Sequence, residues 1–365
     1  MKLTLFILTM ALAWLPMKGE GVASWLNSVH DFGTFKEEAG NVTCEMKMVN
    51  TGNSELRITN VRPTCGCTAS QYTVNAIAPG DTATVILTYN PANRPGRFEK
   101  DVYVYTDGKP EKSTLTIKGN VIGAPATIMA QYPESAGHLK LDRRIIPFGA
   151  ITKGKSRTQF IAVYNQGEDT MSAVFGKVPD HLKVEMIPSN IPAGEQATIT
   201  VTYRSADCNE WGLAQDQFVM ETFPVNATEN AVLGVAKIDI TAVLKENFSR
   251  LTDEQRMNAP IAKLSTDKVD FGKIEAEAEA VKGELVITNT GKSKLVIRRI
   301  YTLDEGVALC CKKSEIKPGK TAKIEITITP SALEKILNAK ATVITNDPET
   351  PVQEVRLVGQ IIKTN

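Results

Sequence analysis

Apolar and polar residues alternate along much of this chain. In Val42-Thr43-Cys44-Glu45-Met46-Lys47-Met48 the apolar side chains take every second position, and Val85-Leu87-Tyr89, Ile199-Val201-Tyr203 and Ile324-Ile326-Ile328 repeat the pattern. Successive side chains of a β-strand point to opposite faces, so a period of two predicts strands with one apolar face. Such a face needs a second sheet to cover it. The one helical signal is Thr252-Asp253-Glu254-Gln255, which has capping-box spacing, with Pro260 stopping whatever begins there.

The strands are punctuated at a fixed rhythm. Phe-Gly occurs at Phe32-Gly33, Phe148-Gly149 and Phe271-Gly272. An Asn-x-Gly turn follows each at 17 or 18 residues, beginning at Asn50, Asn165 and Asn289. A turn glycine comes 29 or 30 residues later, at Gly80, Gly194 and Gly319, and nine residues beyond it stand Tyr89, Tyr203 and Ile328. Four landmarks at matching spacing predict three copies of one unit. Several short strands within roughly 100 residues per copy predict an all-β chain of three tandem immunoglobulin-like antiparallel β-sandwich domains with short connectors. The expected limits are 24–123, 124–247 and 261–365, with residues 248–260 a connector holding the short helix. Extra length over 207–233, with Trp211, Phe218 and Phe223, reads as a long hairpin insertion in the second copy, a place where binding function can sit.

Residues 1–23 read as an export signal. Met1-Lys2 gives a positive start and Leu3 to Leu15 an apolar run, too short for the roughly 20 residues that cross a bilayer. Gly21-Val22-Ala23 offers small residues for a cut before Ser24, with an earlier cut near Gly19 as the alternative. The mature chain is therefore expected outside the cytoplasm, in the periplasm or at the cell surface, with no membrane span. Lys and Arg total 42 against 41 Asp and Glu, a net charge of +1. That balance gives no electrostatic reason to expect nucleic acid or an anionic membrane as partner.

Several motif matches fail on context. Gly149-Ala150-Ile151-Thr152-Lys153-Gly154-Lys155-Ser156 fits the phosphate-loop pattern, but that loop must open a helix and Arg157 to Tyr164 continues as a strand. Asp31-Phe32-Gly33 and Asp270-Phe271-Gly272 match a kinase triplet without the other kinase elements, and a triplet heading a repeat is structural. The histidines are 30, 138 and 181, in no metal-ligand spacing. No catalytic residues, cofactor or metal are expected.

The six cysteines are 44, 65, 67, 208, 310 and 311. Cys44 falls on the apolar side of its strand, where a thiol is a small core hydrophobe. Adjacent Cys310 and Cys311 are expected on opposite faces of a strand. Cys65-Gly66-Cys67-Thr68 is the one compact constellation, leaving a strand for a loop. Its thiols are open to three readings: a small strained ring, half of a soft-metal site, or a bridge from one of them to Cys44.

Val61-Arg62-Pro63-Thr64-Cys65-Gly66-Cys67-Thr68, Pro79-Gly80-Asp81, Tyr89-Asn90-Pro91 and Gly96 together resemble the bacterial family called domain of unknown function 1573. The resemblance is strongest over 29–123. Residues 268–362 keep the Asn-Thr-Gly turn, Pro318-Gly319 and Thr345-Asn346-Asp347-Pro348 but lack Cys-Gly-Cys, and the second copy is the most divergent. The resemblance implies export by a Gram-negative bacterium and a sandwich like those of major sperm protein and pilus chaperones. It implies no activity. Asp81-Thr82-Ala83 and Asp169-Thr170-Met171 are also similar to O-glycosylation acceptor triplets of such bacteria, although each reads more simply as a turn acid with Thr starting a strand.

The function expected from these features is that of a non-enzymatic interaction or structural scaffold, its protein partners adding a strand to an exposed edge. A thiol-redox or soft-metal module centred on Cys65 and Cys67 is the alternative. A pilus-type chaperone predicts two domains rather than three copies.

Overall fold

The computed structural model describes residues 19–226, 231–333 and 335–362. Most of the expected export signal lies outside them. Their strands form six sheets, which face one another in pairs around three apolar cores. The chain is all-β with immunoglobulin-like sandwiches.

In the first sandwich the strands are β1 (Ala23–Trp25), β2 (Val29–Lys36), β3 (Val42–Asn50), β4 (Ile58–Pro63), β5 (Thr68–Tyr72), β6 (Thr82–Tyr89), β7 (Gly96–Thr106) and β8 (Lys112–Ile122). One sheet runs β1-β3-β6-β5 and the other β2-β8-β7-β4. The alternation seen in the sequence is the burial pattern: Cys44, Met46, Met48, Val85, Leu87 and Tyr89 all face the core. The first sandwich also begins earlier than residue 24. Val22 bridges to Lys109, Ala23 pairs with Asn50, and the Ala23 amide donates to the Lys109 carbonyl at 2.7 Å.

Among the described residues, pairing between strands is antiparallel except at one place in each sandwich. The strand carrying Phe-Gly lies parallel to the last strand: β2 on β8, Ile145–Thr152 on Gly234–Lys245, and Lys268–Glu275 on Val352–Ile362. Each of these pairs is broken by a bulge at the glycine, where Gly33, Gly149 and Gly272 take φ of 66°, 65° and 64°. Only glycine adopts that conformation without a Cβ penalty. Asp31 and Asp270 accept the Gly33 and Gly272 amides at 2.8 and 3.0 Å, so the kinase-like triplet is a bulge. The phosphate-loop look-alike is a tight turn at Gly154 between the strands Ile145–Thr152 and Ser156–Asn165.

The recurrent asparagine is the polar anchor of each core. Asn50, Asn165 and Asn289 are fully buried. The Asn50 Nδ2 donates to the carbonyls of Ser54 and Ile77, both at 2.8 Å, and its Oδ1 accepts the Gly52 amide at 3.0 Å. Asn165 makes the same bonds to Asp169, Ile191 and Gly167, and Asn289 to Ser293, Ile316 and Gly291. A buried amide is tolerated only when satisfied in this way.

Helix α2 (Asp253–Met257) starts at the expected capping box, with Thr252 and Gln255 bonding reciprocally. A second helix, α1 (Pro125–Gln131), was not anticipated. Its N-cap position is Ala124, which has no side chain to cap with. Glu37 anchors that end from far along the chain: its carboxylate accepts the Ala124 amide and the Thr127 hydroxyl, both at 2.9 Å, and the Asn93 amide at 2.7 Å. The expected insertion at 207–233 is likewise corrected. Gly212–Pro224 and Gly234–Lys245 are the last two strands of the second sandwich itself, equivalent to β7 and β8, with Phe218 fully buried in the core. Part of the extra length is in longer strands, and residues 227–230 of the expected insertion lie outside the described residues.

Side chains tie the sandwiches at both joints. Between the first two, Arg97 pairs with Glu195 at 2.5 Å, Gln196 donates to the Pro95 carbonyl at 2.8 Å, and the Gly123 amide donates to the Tyr164 hydroxyl at 3.0 Å. Between the second and third, Arg298 grips Glu246 through two bonds of 2.9 and 2.6 Å, and Arg299 donates to the carbonyls of Trp211 and Leu213.

Candidate functional site

The Cys65-Gly66-Cys67-Thr68 segment is the crossover between the two sheets of the first sandwich. β4 ends at Pro63, and the Thr64 amide and hydroxyl both donate to the Asp101 carbonyl, at 3.0 and 2.8 Å. β5 begins at Thr68, whose amide donates back to the Cys65 carbonyl at 3.3 Å. The tight turn between these anchors brings the Cys65 and Cys67 Cα atoms to 5.2 Å, and their sulfurs are bonded to each other. Of the three arrangements open in the sequence, the structure holds the small ring.

Cys44 stays a free thiol. It faces the core on β3 opposite Leu87, and burial pushes its pKa up to about 11. Cys310 is exposed and Cys311 turns toward the third core, as alternate positions of one strand require. Gly66 is exposed, and a Cβ there meets nothing within 4 Å. Thr68 is buried at the Tyr89 rung.

What the sequence did not reveal is the surface around the bridge. Cys65 and Cys67 form one wall of a depression of about 210 Å³. Tyr89 and Phe98 stack as a second wall with ring centroids 3.8 Å apart. Arg94, Arg97 and Lys100 complete the lining together with Pro95, and no carboxylate is among the lining residues. These cations come from the loop before β7 and from β7 itself, segments that sequence spacing does not connect to Cys65.

The equivalent turn in the other sandwiches carries different chemistry. The carbonyl of Cys67 accepts the Asn90 amide, that of His181 the Arg204 amide, and that of Gly306 the Thr329 amide, at 2.9, 2.8 and 2.7 Å. His181 and Gly306 thus stand where Cys67 stands. In the second sandwich this builds a cluster that also escaped the sequence: His181 Nε2 lies 3.0 Å from Asp216 Oδ2, and the Tyr203 hydroxyl donates to Cys208 Sγ at 3.3 Å. Burial, then the Cys208 contact, raises the Tyr203 pKa, and burial lowers that of Lys153, whose ammonium donates to the Cys208 carbonyl. Among the described residues no group of three or more His, Cys, Asp or Glu is placed to hold a metal ion.

Residues 23–121 match the family model described as a protein of unknown function (DUF1573). Residues 260–360 match a second model, described as a HYDIN/CFA65/VesB-like, Ig-like domain. No curated protein matches the chain. Among solved structures, a protein of unknown function from Porphyromonas gingivalis W83 is similar at 19% identity and a TM-score of 0.47, covering 61% of this chain and 100% of that one. The secreted serine protease VesC from Vibrio cholerae is similar at 14% identity and a TM-score of 0.26, covering 51% of this chain and 47% of that one. A three-immunoglobulin segment of titin, I67–I69, is 11% identical with a TM-score of 0.20, covering 95% and 99%.

Proposed function

We propose that this chain is a non-enzymatic interaction scaffold acting outside the cytoplasm, with protein partners that add a strand to its sheet edges. The observation that carries this reading is a repeated open edge on tied joints. Among the described residues the outer edge of one strand in each sandwich is covered only at its start, by the pairs Leu56 with Ile77, Met171 with Ile191 and Leu295 with Ile316. Beyond these contacts Ile58–Pro63 and its two counterparts present backbone groups at a sheet edge, the arrangement to which an extended partner segment adds. The joints fix the spacing of the three edges, which favours a partner engaging more than one of them.

An extracytoplasmic location is supported by the Cys65–Cys67 bridge, which persists in oxidising compartments, and by the signal-like pattern of residues 1–23. No helix among the described residues is long and apolar enough to cross a membrane.

Photo-crosslinking tests the reading. A crosslinking residue placed at exposed Asn60 on the β4 edge, in the producing cell, is expected to capture a discrete protein adduct. The same residue at Glu45, on the outer face of the interior strand β3, is not. Equal capture from both positions, or from neither, overturns strand addition at this edge.

A further inference from the structure

We propose that the Cys65–Cys67 bridge is an exchange site for anionic thiols, a property independent of the scaffold reading. The bridge forms a wall of the 210 Å³ depression rather than lying under the surface. Its two sulfurs are not equivalent: Cys67 is 5% exposed and belongs to the buried core, whereas Cys65 is half-buried at the core's edge. An incoming thiolate therefore meets Cys65. The rim selects the charge of that thiolate. Arg97 is already paired with Glu195 across the joint, leaving Arg94 and Lys100 to face a ligand. Arg94 is held in place by the Ala92 carbonyl at 2.7 Å. Fixed cations raise the local concentration of an anionic reactant and stabilise the thiolate that departs.

The exchange balances as follows. The thiolate RS⁻ attacks Cys65 Sγ, forming the RS–Sγ bond as the bond to Cys67 Sγ breaks. The electron pair leaves on Cys67, whose thiolate is then protonated from solvent. A second RS⁻ attacks the ligand sulfur of the mixed disulfide, releasing RSSR and the Cys65 thiolate. The bridge gains two electrons and two thiols become one disulfide. The volume admits a small mercapto-acid, or a single cysteine side chain flanked by acidic residues. His181 and Gly306 at the equivalent turns confine the reaction to the first sandwich.

The test uses the full chain with mercaptosuccinate, 2-mercaptoethanol and cysteamine at equal thiolate concentrations, scoring free Cys65 and Cys67 by alkylation and mass spectrometry. At low salt the anionic thiol is expected to react on the order of 10-fold faster than the cationic one, the ratio falling toward unity in about 1 M salt. Arg94→Glu with Lys100→Glu reverses the order. In Cys67→Ser the Cys65 thiolate attacks the symmetrical disulfide of mercaptosuccinate, releases one mercaptosuccinate thiolate and carries the adduct on Cys65. A Glu-Cys-Glu peptide distinguishes the sources: reaction faster than mercaptosuccinate identifies a protein cysteine, and slower reaction a small mercapto-acid. An inert bridge, a rate independent of thiol charge and salt in the unmutated chain, or an adduct on Cys67 overturns the proposal.

Discussion

The Nδ2 of Asn50 donates to the Ile77 carbonyl at 2.8 Å inside the first core, and Asn165 and Asn289 make the same bond to Ile191 and Ile316. Each amide closes the Asn-x-Gly turn and ties it to a distant loop. Asn50→Ala leaves the buried Ile77 carbonyl and the part-buried Ser54 carbonyl without this donor. A loss of about 3 kcal/mol is expected, since an unsatisfied buried group costs about 1–3 kcal/mol. Urea denaturation of the variant against the parent checks this. An unchanged midpoint would show the amide to be dispensable.

Glu37 couples the first joint to pH. Burial opposes its charge, but hydrogen bonds from Asn93, Ala124 and Thr127 outweigh that and hold its carboxyl below the usual range. A carboxyl depressed on folding contributes stability above its unfolded pKa, and that contribution is lost as pH falls through the folded value. Helix α1 should therefore loosen under acid before the sandwich cores melt. Hydrogen exchange at residues 124–128 is expected to rise on acidification in the parent and to be already raised at neutral pH in Glu37→Gln.

The start of β1 constrains where the chain can be cut without loss. The Val22 carbonyl accepts the Thr51 amide at 2.9 Å, its amide donates to Asn50 Oδ1 at 3.2 Å, and Ala23 is buried. A chain beginning at Ser24 is expected to melt several degrees below one beginning at Gly19, at the roughly 4–8 °C per kcal/mol typical of a small domain. Calorimetry of the two forms decides it.

Thiol reactivity should follow burial. With iodoacetamide at pH 8 the native chain is expected to label at Cys310 first, because Cys44 is buried with a pKa of about 11 and Cys208 is buried beneath Tyr203. Cys44 and Cys208 label only after denaturation. Early labelling of Cys44 would contradict its place in the core.

Glycines divide by conformation rather than by motif. Gly33→Ala forces a Cβ into φ of 66°, which costs about 1 kcal/mol or more. Gly66→Ala, inside the cysteine motif, meets open space and is expected to leave stability unchanged. Thermal melts of the two variants give the comparison.

The fold class was legible along the chain, because a period of two and turn residues at regular spacing are local properties that a strand expresses wherever it lies. So was the capping box of α2, whose two partners are three residues apart. What distant residues do together depends on the closed fold. The start of helix α1 is anchored by Glu37, so nothing near Ala124 announces it. The parallel pairing of the Phe-Gly strand with the last strand joins opposite ends of a sandwich, and the expected insertion proved to be that sandwich's own last hairpin because strand length alone does not tell an added hairpin from a lengthened one. At Cys65-Gly66-Cys67 the motif was legible and its setting was not. The stacked Tyr89 and Phe98 and the cations Arg94, Arg97 and Lys100 reach the bridge only when two sheets close, and it is that closure, not the spacing of the cysteines, that gives the site its charge and shape.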